Sequence, residues 1–258
     1  YYVFFVTAPA TPEIYTLPLH DALPIFYREF PQITTRHLAE NVPTKDRLTL
    51  GAWYFGQKRY GAAMLEFQEI LKEDTHNADA LAYLGRIYHE QTKPEEAMKN
   101  YRRALTYNSK SPIALTFMAK ACFDQREYKE AISYARRALQ EKPNSSTGKV
   151  LLAASLIATN QIEEAREVLK QMEEKGPVSW EVHYLLGVIY MQQGIAENRI
   201  YKAGNRWCIE EGAKEKILYH LNQSVKIRPQ KNGGSYQYLA QVARSDERRG
   251  GKECRSRW

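Results

Sequence analysis

The stretch that decides the fold is residues 78–111, ADALAYLGRIYHEQTKPEEAMKNYRRALTYNSKS. Leu81, Leu84, Gly85 and Tyr88 stand at i, i+3, i+4 and i+7, which places them on one face of a helix. Ala97, Tyr101, Ala104 and Leu105 repeat that pattern after the turn-forming run Gln91-Thr92-Lys93-Pro94. The stretch therefore predicts two amphipathic helices joined by a tight turn. Small residues at Gly85 and Ala97 let the two helices approach closely, and Tyr88 and Tyr101 fill the gaps beside them.

Moving outward, the same pattern recurs with a period of 34 residues. Ala63, Ala97, Ala131 and Ala165 share one register, and Gly51, Gly85, Ala119 and Ala153 share another. Tyr54, Tyr88, Cys122 and Leu156 follow the second set, while Phe67, Tyr101, Ala135 and Leu169 follow the first. A fifth unit starts at Trp180 with Leu186, Gly187 and Tyr190 in place, but its second helix resumes only at Ile217 and Leu221. That gap implies an insertion of 18 residues within Gly194–Gly212. Splitting it between both arms is expected to give an extended helical hairpin with Gly204-Asn205 at its tip and Ile200, Tyr201, Trp207 and Ile209 packed between the arms. The alternative is a mobile loop presenting Tyr201 and Trp207 to a partner. A sixth unit begins after Pro229 and covers 230–243 as a truncated first helix.

The four in-phase units and the interrupted fifth resemble the tetratricopeptide repeat family over residues 44–243. The resemblance implies an all-α solenoid of helical hairpins, wound as a right-handed superhelix of about five repeats plus the truncated sixth. It also implies that the first helices line a concave groove that holds a partner protein or peptide. Positions that face the groove in the family fall on Arg86, His89, Lys120 and Phe123, which make its early part basic and aromatic. They fall on Val150, Ile157, Val188 and Met191 farther along, which make it apolar. A partner segment with an acidic part and an apolar part is the expected occupant. The carboxylate clamp of the chaperone-binding members is not expected, because Leu48 and Ala52 stand where its first Lys and Asn belong.

The two ends read differently. TAPATPEIYTLPLHDALPI (7–25) and RSDERRGGKECRSRW (244–258) resemble translated sequencing-adapter sequence. Residues 1–25 and 244–258 are therefore expected not to be native, 26–43 form an N-terminal segment of unassigned role, and the chain reads as a piece of a longer one. The basic run Arg248-Arg249-Gly250-Gly251-Lys252 is accordingly not read as a phosphate loop or a nucleic-acid tail.

Composition adds exclusions. The net charge is +7, and +6 without 7–25 and 244–258, a balance that favours acidic partners weakly and is no nucleic-acid footprint. Direct nucleic-acid binding is not expected. No apolar run is long enough to span a bilayer, and Tyr1–Val6 lacks the marks of a signal peptide. Cys122, Cys208 and Cys254 form no CxxC pair, which argues against a zinc site or disulfide framework and for a reducing compartment. A cytoplasmic location is expected, with the nucleus as the alternative. His89 beside Glu90, and His183 near Glu181, read as solvated helix residues rather than acid–base or metal pairs. Cys122 reads as a buried thiol, and Cys208 as an exposed one in the insertion. No catalytic residue, cofactor or metal is expected. The function implied is a non-enzymatic interaction scaffold. The alternatives are the targeting arm of a larger enzyme and a subunit of an RNA-processing or cell-cycle assembly.

Overall fold

The computed structural model describes residues 44–203, 206–231 and 233–246. The expectations placed on 1–43, on 247–258 and on Gly204-Asn205 lie outside these residues. Eight helices alternate first and second arms: α1 Thr44–Gly56, α2 Tyr60–Glu73, α3 Ala78–Glu90, α4 Pro94–Tyr107, α5 Pro112–Asp124, α6 Tyr128–Glu141, α7 Ser146–Ala158 and α8 Ile162–Glu173. Then come α9 Trp180–Ala196, β1 Ile200–Ala203, β2 Arg206–Ile209, α10 Glu211–Ile227, a 3₁₀ turn Pro229–Lys231 and α11 Gly233–Asp246. The chain falls into two compact units that divide within α5, between Phe117 and Met118.

The repeat is written into the helix ends as well as the apolar faces. Asn77 caps α3 by accepting from Ala80 N at 3.1 Å, and Ser145 caps α7 by accepting from Gly148 N at 3.1 Å. Ser111, midway between them in register, accepts from Ala114 N at 3.1 Å and donates to Asp79 Oδ1 at 2.6 Å, tying the start of α5 to α3. At the other end of each first helix the backbone turns left-handed at Lys58, Thr92, Arg126 and Asn160, one residue per unit at the 34-residue period, each with φ near +60°. The following residue donates back to the last turn, as in Arg59 N to Tyr54 O and Lys93 N to Tyr88 O, both at 2.9 Å. This is the helix stop that normally uses glycine, formed here on Lys, Thr, Arg and Asn side chains.

In the first unit, Leu50, Tyr54, Ala63, Phe67, Ile70, Ala80, Leu84 and Ile87 form one buried cluster joining the first two hairpins. The small residues allow the close approach: a Cβ on Gly85 would lie 2.7 Å from Tyr101 Cε1 and 3.0 Å from the Ala97 carbonyl oxygen. Between α1 and α2, Arg47 Nη1 donates to the Glu66 carboxylate at 3.3 Å, with both side chains buried. In the second unit, Ala119, Ala135, Leu152, Leu156, Ala165, Leu169, Leu186 and Ile189 belong to a single core that runs from α5 to α9.

The insertion departs from the expected helical extension. The first helices of the regular units have 13 residues, whereas α9 has 17. The left-handed stop that the period would place at Gly194 occurs instead at Asn198, φ 55°, one helical turn later. The intervening segment leaves the helix and forms an antiparallel two-stranded hairpin pairing Ile200 with Ile209 and Tyr201 with Cys208. Strand geometry alternates side chains across the ribbon, so Ile200 and Ile209 share one face. Ile200 is buried with Met191, Ile217, Leu221 and Val242, and Ile209 packs against the same cluster. A β-branched residue on each strand of that face favours sheet over helix.

Candidate partner-binding positions and a buried histidine pair

On α3, Arg86 and His89 are half-buried. Arg86 Nη2 donates to Glu90 one turn on, while its Nη1 is buried without a hydrogen-bond partner. In the second unit, Lys120 donates to Asp124, again one turn on, and its ammonium lies 5.7 Å from the centre of the Phe123 ring. Intrahelical pairs of this kind stabilise by only about 0.3–0.5 kcal/mol, so an incoming carboxylate displaces them at little cost. Val150 and Ile157 are half-buried and pack beside the second-unit core. Val188 and Met191 are buried, at 9% and 7% exposure, and Met191 is covered by Ile200, Ile217, Leu221 and Val242. Both are buried in this structure, and Met191 is so because the hairpin and α11 close over the end of α9.

Tyr201 is half-buried on β1, and Trp207 is paired through its backbone with Lys202. A cavity beside the insertion is lined by Arg166, Tyr190, Glu197, Arg199 and Lys216 among others, a mixed set of charged, polar and small residues. Cys208 is buried at 6%, not exposed as its place in an insertion suggested. Cys122 is a free, buried thiol, and burial first, then Glu127 and Glu130, push its pKa to about 11. The thiolate is the reactive form, so Cys122 is expected to resist N-ethylmaleimide at neutral pH in the folded chain and to react fully in denaturant. Peptide mass spectrometry checks this; rapid native labelling contradicts the buried placement.

The largest departure from the sequence reading is at His183. It is buried at 8%, and the carboxylate that faces it belongs to Glu173 rather than Glu181. His183 Nδ1 lies 3.2 Å from His220 Nδ1, and His220 is itself buried at 6%. The Glu173 carboxylate oxygen Oε1 stands 4.0 Å from His183 Nδ1 and 3.9 Å from His220 Nδ1. Aromatic neighbours hold the rings: Tyr190 stacks on His220 at 5.4 Å, and Tyr219 meets His183 edge-on at 6.3 Å. Burial lowers the pKa of both imidazoles, that of His220 to about 4 with His183 as the second cause, so both are neutral near pH 7. Neutral rings can share one proton-bearing nitrogen, with one Nδ1–H donating to the other Nδ1. His220 follows the insertion, 37 residues after His183, and no short spacing announced the pair.

Serial helix–turn–helix units, with common caps, common stops and continuous cores within each compact unit, define a stacked-hairpin repeat protein. A tetratricopeptide repeat model matches residues 122–189, and a model of anaphase-promoting complex, cyclosome, subunit 3, matches 56–138. The chain thus carries a segment of tetratricopeptide repeats with an all-α repeat fold, apart from the small β1–β2 hairpin. No curated protein matches the sequence. Among solved structures, the chain is similar to TTC0263, a thermophilic TPR protein of Thermus thermophilus, at 16% identity and a TM-score of 0.55, covering 78% of this chain and 100% of that one. It is also similar to MamA at 18% identity and 0.51, covering 68% and 95%, and to YrrB, described as a TPR protein with an unusual peptide-binding site, at 17% and 0.51, covering 83% and 97%. No helix among the described residues is long and apolar enough to cross a membrane.

Proposed function

We propose that this chain is a non-enzymatic scaffold that holds a partner protein or peptide through the first helices of its repeats. The carrying observation is the set of half-buried polar and aromatic side chains on those helices, Arg86 and His89 in the first unit and Lys120 and Phe123 in the second. The partners of both cations are weak and intrahelical, Glu90 for Arg86 and Asp124 with the Phe123 ring for Lys120, and Arg86 Nη1 is buried without a hydrogen bond. Repeat folds of this kind present extended surfaces, and the similarity to YrrB, described as having a peptide-binding site, agrees with that use. The partner has an acidic part for Arg86 and Lys120 and an apolar part for Phe123, Val150 and Ile157, with Tyr201 and Trp207 of the insertion as further contacts. Val188 and Met191 are left out of the contact set because the fold covers them.

Charge reversal tests this reading. Peptides with an acidic block followed by an apolar block are titrated against the chain by fluorescence anisotropy. Arg86→Glu and Lys120→Glu are each expected to weaken binding about tenfold, equivalent to about 1.4 kcal/mol. Equal affinity for wild type and the double reversal removes the electrostatic half of the proposal.

A second reading has a specific support: the resemblance of residues 56–138 to a subunit of the anaphase-promoting complex. Under it, the partner surface belongs to a large multiprotein assembly. Co-purification from cells with nuclease present distinguishes the two. A stable particle of many proteins supports the assembly, and a single small partner supports the scaffold alone.

A further inference from the structure

We propose that Glu173, His183 and His220 form a binding site for a divalent transition-metal ion of the zinc type, which clamps α8, α9 and α10 together. The geometry carries the proposal. The three donor atoms all lie within 4.8 Å of one another and come from three different helices. The circle through His183 Nδ1, His220 Nδ1 and Glu173 Oε1, set by separations of 3.2, 4.0 and 3.9 Å, has a radius of about 2.2 Å. An ion at its centre is thus within reach of normal zinc bonds to all three ligands, about 2.0–2.1 Å for nitrogen and 2.0–2.2 Å for oxygen. Like-to-like convergence is a further mark: both rings turn the same nitrogen, Nδ1, toward the shared point, and Oε1 is nearly equidistant from the two.

The chemistry of the donor set selects the ion. Two imidazoles and one carboxylate suit zinc and its neighbours, whereas calcium and magnesium prefer all-oxygen shells. Metal binding requires unprotonated imidazole, and both rings reside in a buried setting that disfavours the charged form. The two histidines are buried, but the Glu173 side chain is 36% exposed, which opens a path for the ion from that side. A small inward movement of this carboxylate converts the planar three-ligand arrangement to a tetrahedral one, with water at the fourth position. Because Glu173 ends the second helix of the fourth hairpin, and His183 and His220 lie on both arms of the fifth, the ion joins consecutive repeats next to the insertion. The role is a structural clamp, independent of which partner the scaffold holds.

The test uses the untagged full chain, stripped with a chelator and titrated with Zn²⁺ by calorimetry and with Co²⁺ by visible absorption. One ion per chain is expected, with a rise in melting temperature on loading and cobalt bands of a four-coordinate nitrogen–oxygen site. Glu173→Gln is expected to weaken binding at least about tenfold, and His183→Gln or His220→Gln to abolish it. Circular dichroism checks that each variant is folded. If the histidine variants do not fold, the half-exposed Glu173→Gln decides alone. Failure of wild type to bind saturably, or unchanged affinity in folded Glu173→Gln, overturns the site.

Discussion

Phe67→Ala is expected to destabilise the first unit by about 3–5 kcal/mol, a large share of the roughly 5–15 kcal/mol that holds a typical domain folded. Phe67 has no exposed surface and lies at the centre of the cluster joining the first two hairpins. Its ring stacks on Tyr83 of α3 at 4.8 Å and 7° between planes, so its removal loses contacts to the next repeat as well as its own. Across the hairpin, Gly51 has no side chain to fall into the space; a Cβ there would stand 2.6 Å from Phe67 Cε1. The cavity therefore stays largely open. In stacked repeats each unit depends on its neighbours, so the loss is expected to spread through α1–α3 first. Hydrogen exchange by mass spectrometry is expected to show protection falling across 44–90 while 146–190 keeps most of it. Leu65→Ala, two residues away but 62% exposed, is the control and is expected to change stability by no more than about 0.5 kcal/mol. If the two substitutions cost the same, Phe67 does not organise this core.

The legible part of this fold was the part that repeats. The recurrence of Ala63, Ala97, Ala131 and Ala165 predicts helix pairs because a small residue at a fixed place has one simple cause, the close approach of two arms. The caps Asn77, Ser111 and Ser145 keep the same 34-residue period, although the reading of the apolar faces did not use them. The turns between arms were legible as polar runs such as Gln91-Thr92-Lys93-Pro94, but their left-handed residue was not. Lys58, Thr92 and Arg126 are poor signals for a left-handed residue, and the backbone bonds of the turn impose that conformation against their preference. The insertion misled for a related reason. Its length equals whole helical turns, yet Ile200-Tyr201 and Cys208-Ile209 pair as strands because Ile200 finds a buried site on Gly194 that a longer helix would not fill. The choice also had a local signal, the β-branched and aromatic residues Ile200, Tyr201, Trp207 and Ile209 on either side of Gly204-Asn205, which the match to whole helical turns outweighed. The same closure buries Met191, and Val188 is buried too, although family position alone assigned both to the open groove. His220 meets His183 only because α10 returns alongside α9 after the hairpin, so His183, weighed with Glu181 alone, read as a solvated residue and His220 carried no signal. Arg86, His89, Lys120 and Phe123 lie on regular first helices that the repeat predicts, and there the positions read from sequence remain half-exposed.

The seat of the hairpin gives the second large effect, and it is best read as a double-mutant cycle. Ile200 is 1% exposed, and truncation to Ala is expected to cost about 2–5 kcal/mol and to speed exchange at the paired backbone of β1 and β2. Gly194→Ala attacks the same contact from the helix side. Its Cβ would lie 2.5 Å from Ile200 Cδ1 and 2.7 Å from Cγ1, too close for either atom to remain, and the expected cost is about 1–3 kcal/mol. In the double variant the clashing atoms are gone. The nearest remaining Ile200 atom is Cβ at 3.7 Å, an ordinary contact, and the added methyl occupies part of the space vacated. The two substitutions are therefore expected to be strongly non-additive, with the double variant no less stable than Ile200→Ala alone. Tyr201→Ala, on the neighbouring half-buried position, is expected to leave stability nearly unchanged while weakening partner capture, which separates the side of the hairpin that anchors from the side that presents. Simple addition of the Gly194 and Ile200 effects in urea unfolding would mean that the two residues do not meet, and that the hairpin is held by something other than this contact.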